Sequence, residues 1–149
     1  MPLAKLLIVD DEVAQMDALG RTLELEGYST AGFTSAGEAL AALHPGEFDL
    51  LLTDLKMPEM DGISLLRAAR AVDGNLVGIV MTGLGTVDTA IEAMKAGAID
   101  YILKPFKLSI ILPVLSRALE VQRLRAENAE LEQRLRQRTQ QLDLLLNIA

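Results

Sequence analysis

No cysteine occurs among the 149 residues, and only one histidine, His44. Disulfides, thiolate metal sites and thiol nucleophiles are therefore excluded, and too few nitrogen or sulfur donors remain for a zinc centre. His44 stands before Pro45 at an expected helix end and is read as a solvated loop residue. No run approaches the roughly 18 apolar residues that a membrane-crossing helix needs. The N-terminus also lacks the charged segment and long apolar stretch of a signal peptide. The expectation is a soluble, cytoplasmic protein without membrane contact. Positive charge is scarce as well: residues 1–116 hold 8 Lys and Arg against 16 Asp and Glu, whereas residues 117–149 hold 6 Arg against 5 acids. An acidic globular part argues against direct nucleic-acid contact, because phosphate neutralisation dominates such affinity.

What is present is apolar: half of the residues are hydrophobic, enough to bury a core at this length, and the length prior is one domain. Leu6-Leu7-Ile8-Val9 precedes Asp10, Leu50-Leu51-Leu52-Thr53 precedes Asp54, Val77-Gly78-Ile79-Val80-Met81 precedes Thr82, and Tyr101-Ile102-Leu103 precedes Lys104. Such unalternating runs suit strands covered on both faces, and a weaker fifth run spans residues 28–33. Between them the apolar spacing is helical: Val13, Met16, Leu19 and Leu23, then residues 36–43, then Ile63, Leu65, Leu66 and Ala69, then Val87, Ala90, Ile91 and Met94. The alternation predicts an α/β fold, a doubly wound, five-stranded parallel sheet. Ligands of such sheets collect beyond the carboxyl ends of the strands, where Asp10, Asp11, Asp54, Thr82 and Lys104 all fall.

Three carboxylates brought together repel one another and stay ionised only with a cation among them. Oxygen donors suit Mg²⁺, which is bound through one or two carboxylates plus a phosphate. Asp54 is the candidate nucleophile, since a carboxylate attacks phosphorus to give an aspartyl phosphate. The metal and Lys104 would neutralise charge on the transferring group, and the Thr82 hydroxyl could donate to it. Plainer readings stand beside these. Asp10 and Asp11 could be helix caps, and Asp54 could open a turn before Met57-Pro58. Tyr101 could be core, and Pro58 and Gly62 could set the loop into the third helix. Gly83-Leu84-Gly85 is too short for a dinucleotide fingerprint and is read as a mobile loop beside Thr82.

Taken in order, Leu6-Leu7-Ile8-Val9-Asp10-Asp11-Glu12, Asp54-Leu55-Lys56-Met57-Pro58-Glu59-Met60-Asp61-Gly62, Met81-Thr82-Gly83 and Tyr101-Ile102-Leu103-Lys104-Pro105-Phe106 resemble the receiver domain of two-component response regulators. The resemblance covers roughly residues 4–120 and implies a flavodoxin-like (βα)5 fold, with a receiver domain at 1–120. It implies that Asp54 is the phosphoacceptor, and that Asp11, Asp54 and the backbone carbonyl of Lys56 ligate Mg²⁺, with Asp10 acting mainly through water. Lys104 would contact the phosphoryl group and be joined to Pro105 by a cis peptide bond. Thr82 and Tyr101 would form the switch pair, Thr82 moving to a phosphoryl oxygen and Tyr101 rotating into the vacated space. The implied partner is a histidine kinase or phosphotransfer protein, chosen through exposed residues of the first helix such as Gln15, Ala18 and Arg21.

From about Leu108 a helical pattern runs to the end, and from Val121 it has heptad spacing. Val121, Asn128, Leu135 and Leu142 take position a, and Leu124, Leu131, Arg138 and Leu145 take d. Residues 121–149 are expected to be a coiled-coil linker through which the chain forms a homodimer. Asn128 could fix a parallel register or be an ordinary polar residue, and Arg138 weakens the seam. In a parallel pair Glu120 would attract the partner's Arg125, whereas Glu127 would repel Glu132 of the partner subunit. The chain stops inside an apolar helical pattern, so an output domain is expected beyond it. The segment 123–128 resembles linkers ahead of ATPase domains in transcription activators, and 135–142 is similar to signalling helices ahead of kinase or cyclic-nucleotide modules. Two other classes remain open: a Mg²⁺-dependent phosphohydrolase with an aspartyl intermediate, and a dimerisation module independent of phosphorylation. Phosphohydrolases of the first kind place an acid two residues after the nucleophile, where this chain has Lys56.

Overall fold

The computed structural model describes residues 2–148. Strands and helices alternate: β1 (Lys5–Val9), α1 (Val13–Leu25), β2 (Ser29–Phe33), α2 (Ala36–Ala42), β3 (Leu50–Asp54), α3 (Gly62–Val72), β4 (Val77–Thr82), α4 (Val87–Lys95), β5 (Ala98–Leu103) and α5 (Leu108–Ile148). The strands form one parallel sheet in the order β2-β1-β3-β4-β5, the doubly wound architecture expected from the alternation. The central strands are buried on both faces because the sheet is covered on both. Leu7, Val9, Leu51 and Val80 pack with residues of α2 and α3 on one face. Leu6, Ile8, Leu50, Leu52, Ile79 and Met81 pack with Leu23 of α1 and Ile111, Leu115 and Ala118 of α5 on the other. Strand order reverses between β1 and β3, so a crevice opens beyond the ends of these two strands.

Local chemistry fixes the helix starts on the crevice side. The Asp61 carboxylate accepts the Ser64 amide at 2.7 Å and caps α3. Gly62 follows because the backbone passes there against β3: a Cβ would collide with the Asp54 carbonyl and lie 3.1 Å from Thr53 Cγ2. Gly62 N also donates to Leu55 O at 2.8 Å, which ties the loop after Asp54 to the start of α3. Among the described residues no helix is long and apolar enough to cross a membrane.

Two elements differ from the sequence reading. β5 starts at Ala98 rather than Tyr101, because residues 98–100 pair with β4 across a register shift at Gly78/Ile79. The apolar stripe that marks α4 lies largely in solvent: Val87 is 76%, Ile91 47% and Met94 45% exposed, and Ala93 is the helix's buried residue. The small side chain lets α4 approach the sheet closely, which leaves the larger residues outside. As the helical pattern from Leu108 predicts, α5 is a single 41-residue helix; Leu119 and Val121 are its last residues packed on the core. Beyond that point the heptad leucines are exposed, Leu124 at 62%, Leu131 at 61%, Leu135 at 67%, Leu142 at 60% and Leu145 at 65%. Arg125, at the heptad flank expected to face the partner's Glu120, donates to Leu76 O of its own domain at 3.2 Å. Half-burial and the neighbouring Arg70 guanidinium both lower its pKa.

Candidate functional site

Because parallel strands present their carboxyl ends together, residues far apart in sequence meet at the crevice. Asp10 follows β1 and Asp54 ends β3; Asp10, Asp11 and Asp54 each place a carboxylate oxygen within 4.8 Å of the others. Asp10 is buried, Asp54 half-buried and Asp11 exposed. Lys104 arrives from the end of β5, its amide donating to Thr82 O at 2.7 Å, so the β4–β5 ladder sets where its side chain begins. Its Nζ lies 2.6 Å from Asp10 Oδ2, 2.9 Å from Gln15 Oε1 and 3.5 Å from Asp54 Oδ1. The Lys104–Pro105 bond is cis. Asp10, Asp54, Lys104 and Pro105 line one cleft with Glu12, Gln15 and Phe106, between α1 and the β5–α5 loop.

The carboxylates have separate tasks. Each Asp10 oxygen has a protein partner: Oδ1 accepts the Glu12 amide at 3.0 Å while Oδ2 takes the lysine. Capping does not explain the pair, since α1 begins after Glu12 with no side-chain cap. The Asp11 carboxylate has neither hydrogen bond nor ion pair among the described residues. Asp54 Oδ1 accepts the Leu55 amide at 3.1 Å. Burial raises the Asp54 pKa above its ordinary value; Lys104 opposes this, Asp10 raises it further, the Leu55 amide opposes it and Asp11 adds to the rise. The ionised carboxyl is thus under-compensated, the condition in which an added cation is favoured. The donors are all oxygens, with no His or Cys nearby, which fits Mg²⁺. Lys56 lies in the loop after β3, two residues past Asp54.

Thr82 ends β4, buried, one register position beyond the Met81 that pairs with Asp54. Its Oγ1 accepts the Leu84 amide at 3.2 Å, and its proton has no acceptor among the described residues. Tyr101 is partly buried against the core, and its hydroxyl lies 2.6 Å from Thr89 Oγ1 on α4. Thr89 belongs to a reciprocal cap, in which Thr86 Oγ1 accepts the Thr89 amide and Thr89 Oγ1 accepts the Thr86 amide, both at 3.1 Å. Sequence reasoning missed Thr89, although threonines three apart ahead of a helix are a capping signal. It also missed the Gln15 contact, for which no local pattern exists. The structure therefore brings Asp10, Asp11, Asp54 and Lys104 into one cluster, sets Thr82 at the adjacent strand end, and turns the Tyr101 hydroxyl to α4.

The response regulator receiver domain family matches residues 6–116. The chain belongs to this family. It is 39% identical over 124 residues to the C4-dicarboxylate transport transcriptional regulatory protein DctD of Rhizobium meliloti, which covers 83% of the chain and 27% of DctD. The chain thus spans about a quarter of the length of such curated relatives, matching their receiver part. The beryllofluoride-activated NtrC4 receiver domain dimer superposes with a TM-score of 0.73 at 33% identity, over 79% of this chain and 98% of that one. An adenylate cyclase of Rhodopirellula baltica superposes at 0.79 with 28% identity, over 87% and 97%.

The raised Asp54 pKa makes this receiver's stability depend on pH. The folded state binds the Asp54 proton more tightly than the unfolded chain, so ionisation costs stability as pH rises from the ordinary carboxylate value through the folded one. Asp54→Asn removes that cost. Urea unfolding in chelator should show the variant more stable than wild type at pH 7, with the advantage shrinking as pH falls through the folded-state value towards the ordinary carboxylate value. An advantage that stays constant with pH contradicts the electrostatic account.

Proposed function

We propose that this receiver accepts a phosphoryl group on Asp54 from a histidine kinase or phosphotransfer protein and passes the change to an output domain through α5. The observation that carries the reading is the convergence of Asp10, Asp11 and Asp54 with Lys104 at one crevice, the Asp54 carboxylate reaching the cleft. An Asp54 oxygen attacks phosphorus; the bond from phosphorus to the donor imidazole nitrogen breaks, and that nitrogen keeps the electron pair and takes a proton from solvent. Lys104 donates to the phosphoryl oxygens as they gain charge. Mg²⁺ would be held by Asp11, Asp54 and the Lys56 carbonyl, with Asp10 acting through water, and supplies charge neutralisation on those oxygens. The uncommitted Thr82 proton turns to the phosphoryl group, and Tyr101 follows into the space Thr82 leaves. Because Tyr101 is bound to Thr89, that rotation pulls on the α4 cap.

Receivers are regulatory, and Lys56, two residues after Asp54, is the wrong charge for a phosphohydrolase acid. The exposed heptad leucines support residues 1–120 as the receiver and 121–149 as a dimerising coiled coil; the NtrC4 receiver dimer supports association of such domains. Both DctD, a transcriptional regulator, and the R. baltica adenylate cyclase remain guides to the output class. The acidic balance of residues 1–116 weighs against nucleic-acid contact by the receiver, and a kinase donor fits cytoplasmic placement. Phosphorylation need alter the dimer preference by only about 1–3 kcal/mol to be read out, a usual coupling size.

Intact-mass spectrometry after acetyl phosphate and Mg²⁺ treatment is expected to show one added phosphoryl group on the wild type and none on Asp54→Asn. A gain that survives the substitution overturns the assignment. Sedimentation at matched concentration, with and without beryllofluoride, is expected to show a change in association or shape. No change would remove the relay through α5.

A further inference from the structure

Lys104 has three protons to place, and the structure supplies three acceptors at unequal distances: Asp10 at 2.6 Å, Gln15 at 2.9 Å and Asp54 at 3.5 Å. The first two are good charge-assisted hydrogen bonds, whereas the third is too long for one. Gln15 comes from the first turn of α1, and its other end is anchored, since Nε2 donates to Glu12 Oε2 at 2.8 Å. The orientation of the amide is fixed by its neighbours. An ammonium has only protons to give and a carboxylate only lone pairs, so a flipped amide would lose both bonds. Gln15 is thus a neutral acceptor, aimed from across the cleft at the lysine that the phosphoryl reaction needs.

We propose that Gln15 is a positioning residue for Lys104; the inference rests on the phosphoacceptor reading above. Asp10 and Gln15 together hold the ammonium off Asp54, with its third proton pointing to where phosphoryl oxygens gain charge. Two consequences act in the same direction. Asp54 is spared a direct hydrogen bond from the lysine that would tie up its lone pairs, and the lysine needs no reorientation as the phosphoryl group transfers. Removing the Gln15 acceptor releases Lys104 towards Asp54 Oδ1, its next acceptor at 3.5 Å, and both advantages are lost. The side chain is exposed on α1, where a kinase would also touch it, so the role must be read without a kinase.

The test uses the full chain with phosphoramidate as a small donor and saturating Mg²⁺, comparing wild type with Gln15→Met and Gln15→Glu. Methionine keeps the length and helix propensity but accepts no comparable hydrogen bond; glutamate keeps an acceptor at the same reach. Gln15→Met is expected to lower the saturating phosphorylation rate about three- to tenfold, the scale of one partly solvated hydrogen bond. The half-saturating donor concentration should stay unchanged, a split that general loosening of the fold would not give. Gln15→Glu should restore the saturating rate to within about twofold of wild type, since the lost hydrogen bond is replaced. A Gln15→Met rate at or above wild type overturns the role, as does a Gln15→Glu rate as low as that of Gln15→Met. A wild-type chain that takes no phosphoryl group overturns the phosphoacceptor reading and this role with it.

Discussion

Repulsion among three carboxylates at one sheet edge is the constraint from which the rest of the site follows. Parallel strands bring Asp10, Asp11 and Asp54 within 4.8 Å of one another, and among the described residues Lys104 is the one cation paired with them. The Lys104–Asp10 bond joins residues 94 apart in sequence and spans the sheet from β1 to the end of β5. Asp10 has a side chain 3% exposed, so it is not the kind of surface pair that contributes little. Losing one partner of a buried pair typically costs about 3–5 kcal/mol, because the other charge is left uncompensated. Lys104 therefore has a structural duty to Asp10 and, as proposed, a chemical one to Asp54. One ammonium cannot offset three carboxylates, and Asp10 and Asp11 add to the rise that burial, the largest cause, imposes on the Asp54 pKa.

What was legible in the sequence was whatever depends on burial along a strand. The runs before Asp10, Asp54 and Thr82 read as doubly covered strands, and each ends where expected. Their polar residues fall at the crevice because parallel strands all end on the same side. Less legible was anything decided by packing between elements. The α4 stripe signalled a helix but not its orientation, since Ala93 rather than Ile91 or Met94 sets the close approach to the sheet. Arg125 looked like a heptad flank until the course of α5 brought it over Leu76. Gln15 and Thr89 meet Lys104 and Tyr101 across 89 and 12 residues, contacts that no local spacing encodes.

The site and the outer surfaces are mechanically continuous. Thr82 sits beside Asp54 on the next strand, its carbonyl accepts the Lys104 amide, and Tyr101 precedes Lys104 by three residues on β5. From Tyr101 one hydroxyl contact leads to the cap of α4. From the neighbouring Asp100 an ion pair at 2.6 Å leads to Arg117 of α5. A change passed from Asp54 to β5, as proposed, would reach the α4 cap through Tyr101 and α5 through Asp100, each by one polar contact. Under the proposed relay, a coupling of about 1–3 kcal/mol suffices if the dimer seam proposed for α5 is close to balance, as Asn128 and Arg138 at its core positions suggest.

The central claim is that the cluster is a cation-deficient site completed by a divalent metal. Titration calorimetry of Mg²⁺ into the metal-free chain tests it most directly, with Asp11→Asn as the comparison because Asp11 has no other partner among the described residues. One Mg²⁺ should bind per chain, at least tenfold more weakly in Asp11→Asn, the loss expected for a removed charged ligand, about 1.4 kcal/mol. Binding that is absent, or equal in the two proteins, would contradict the account.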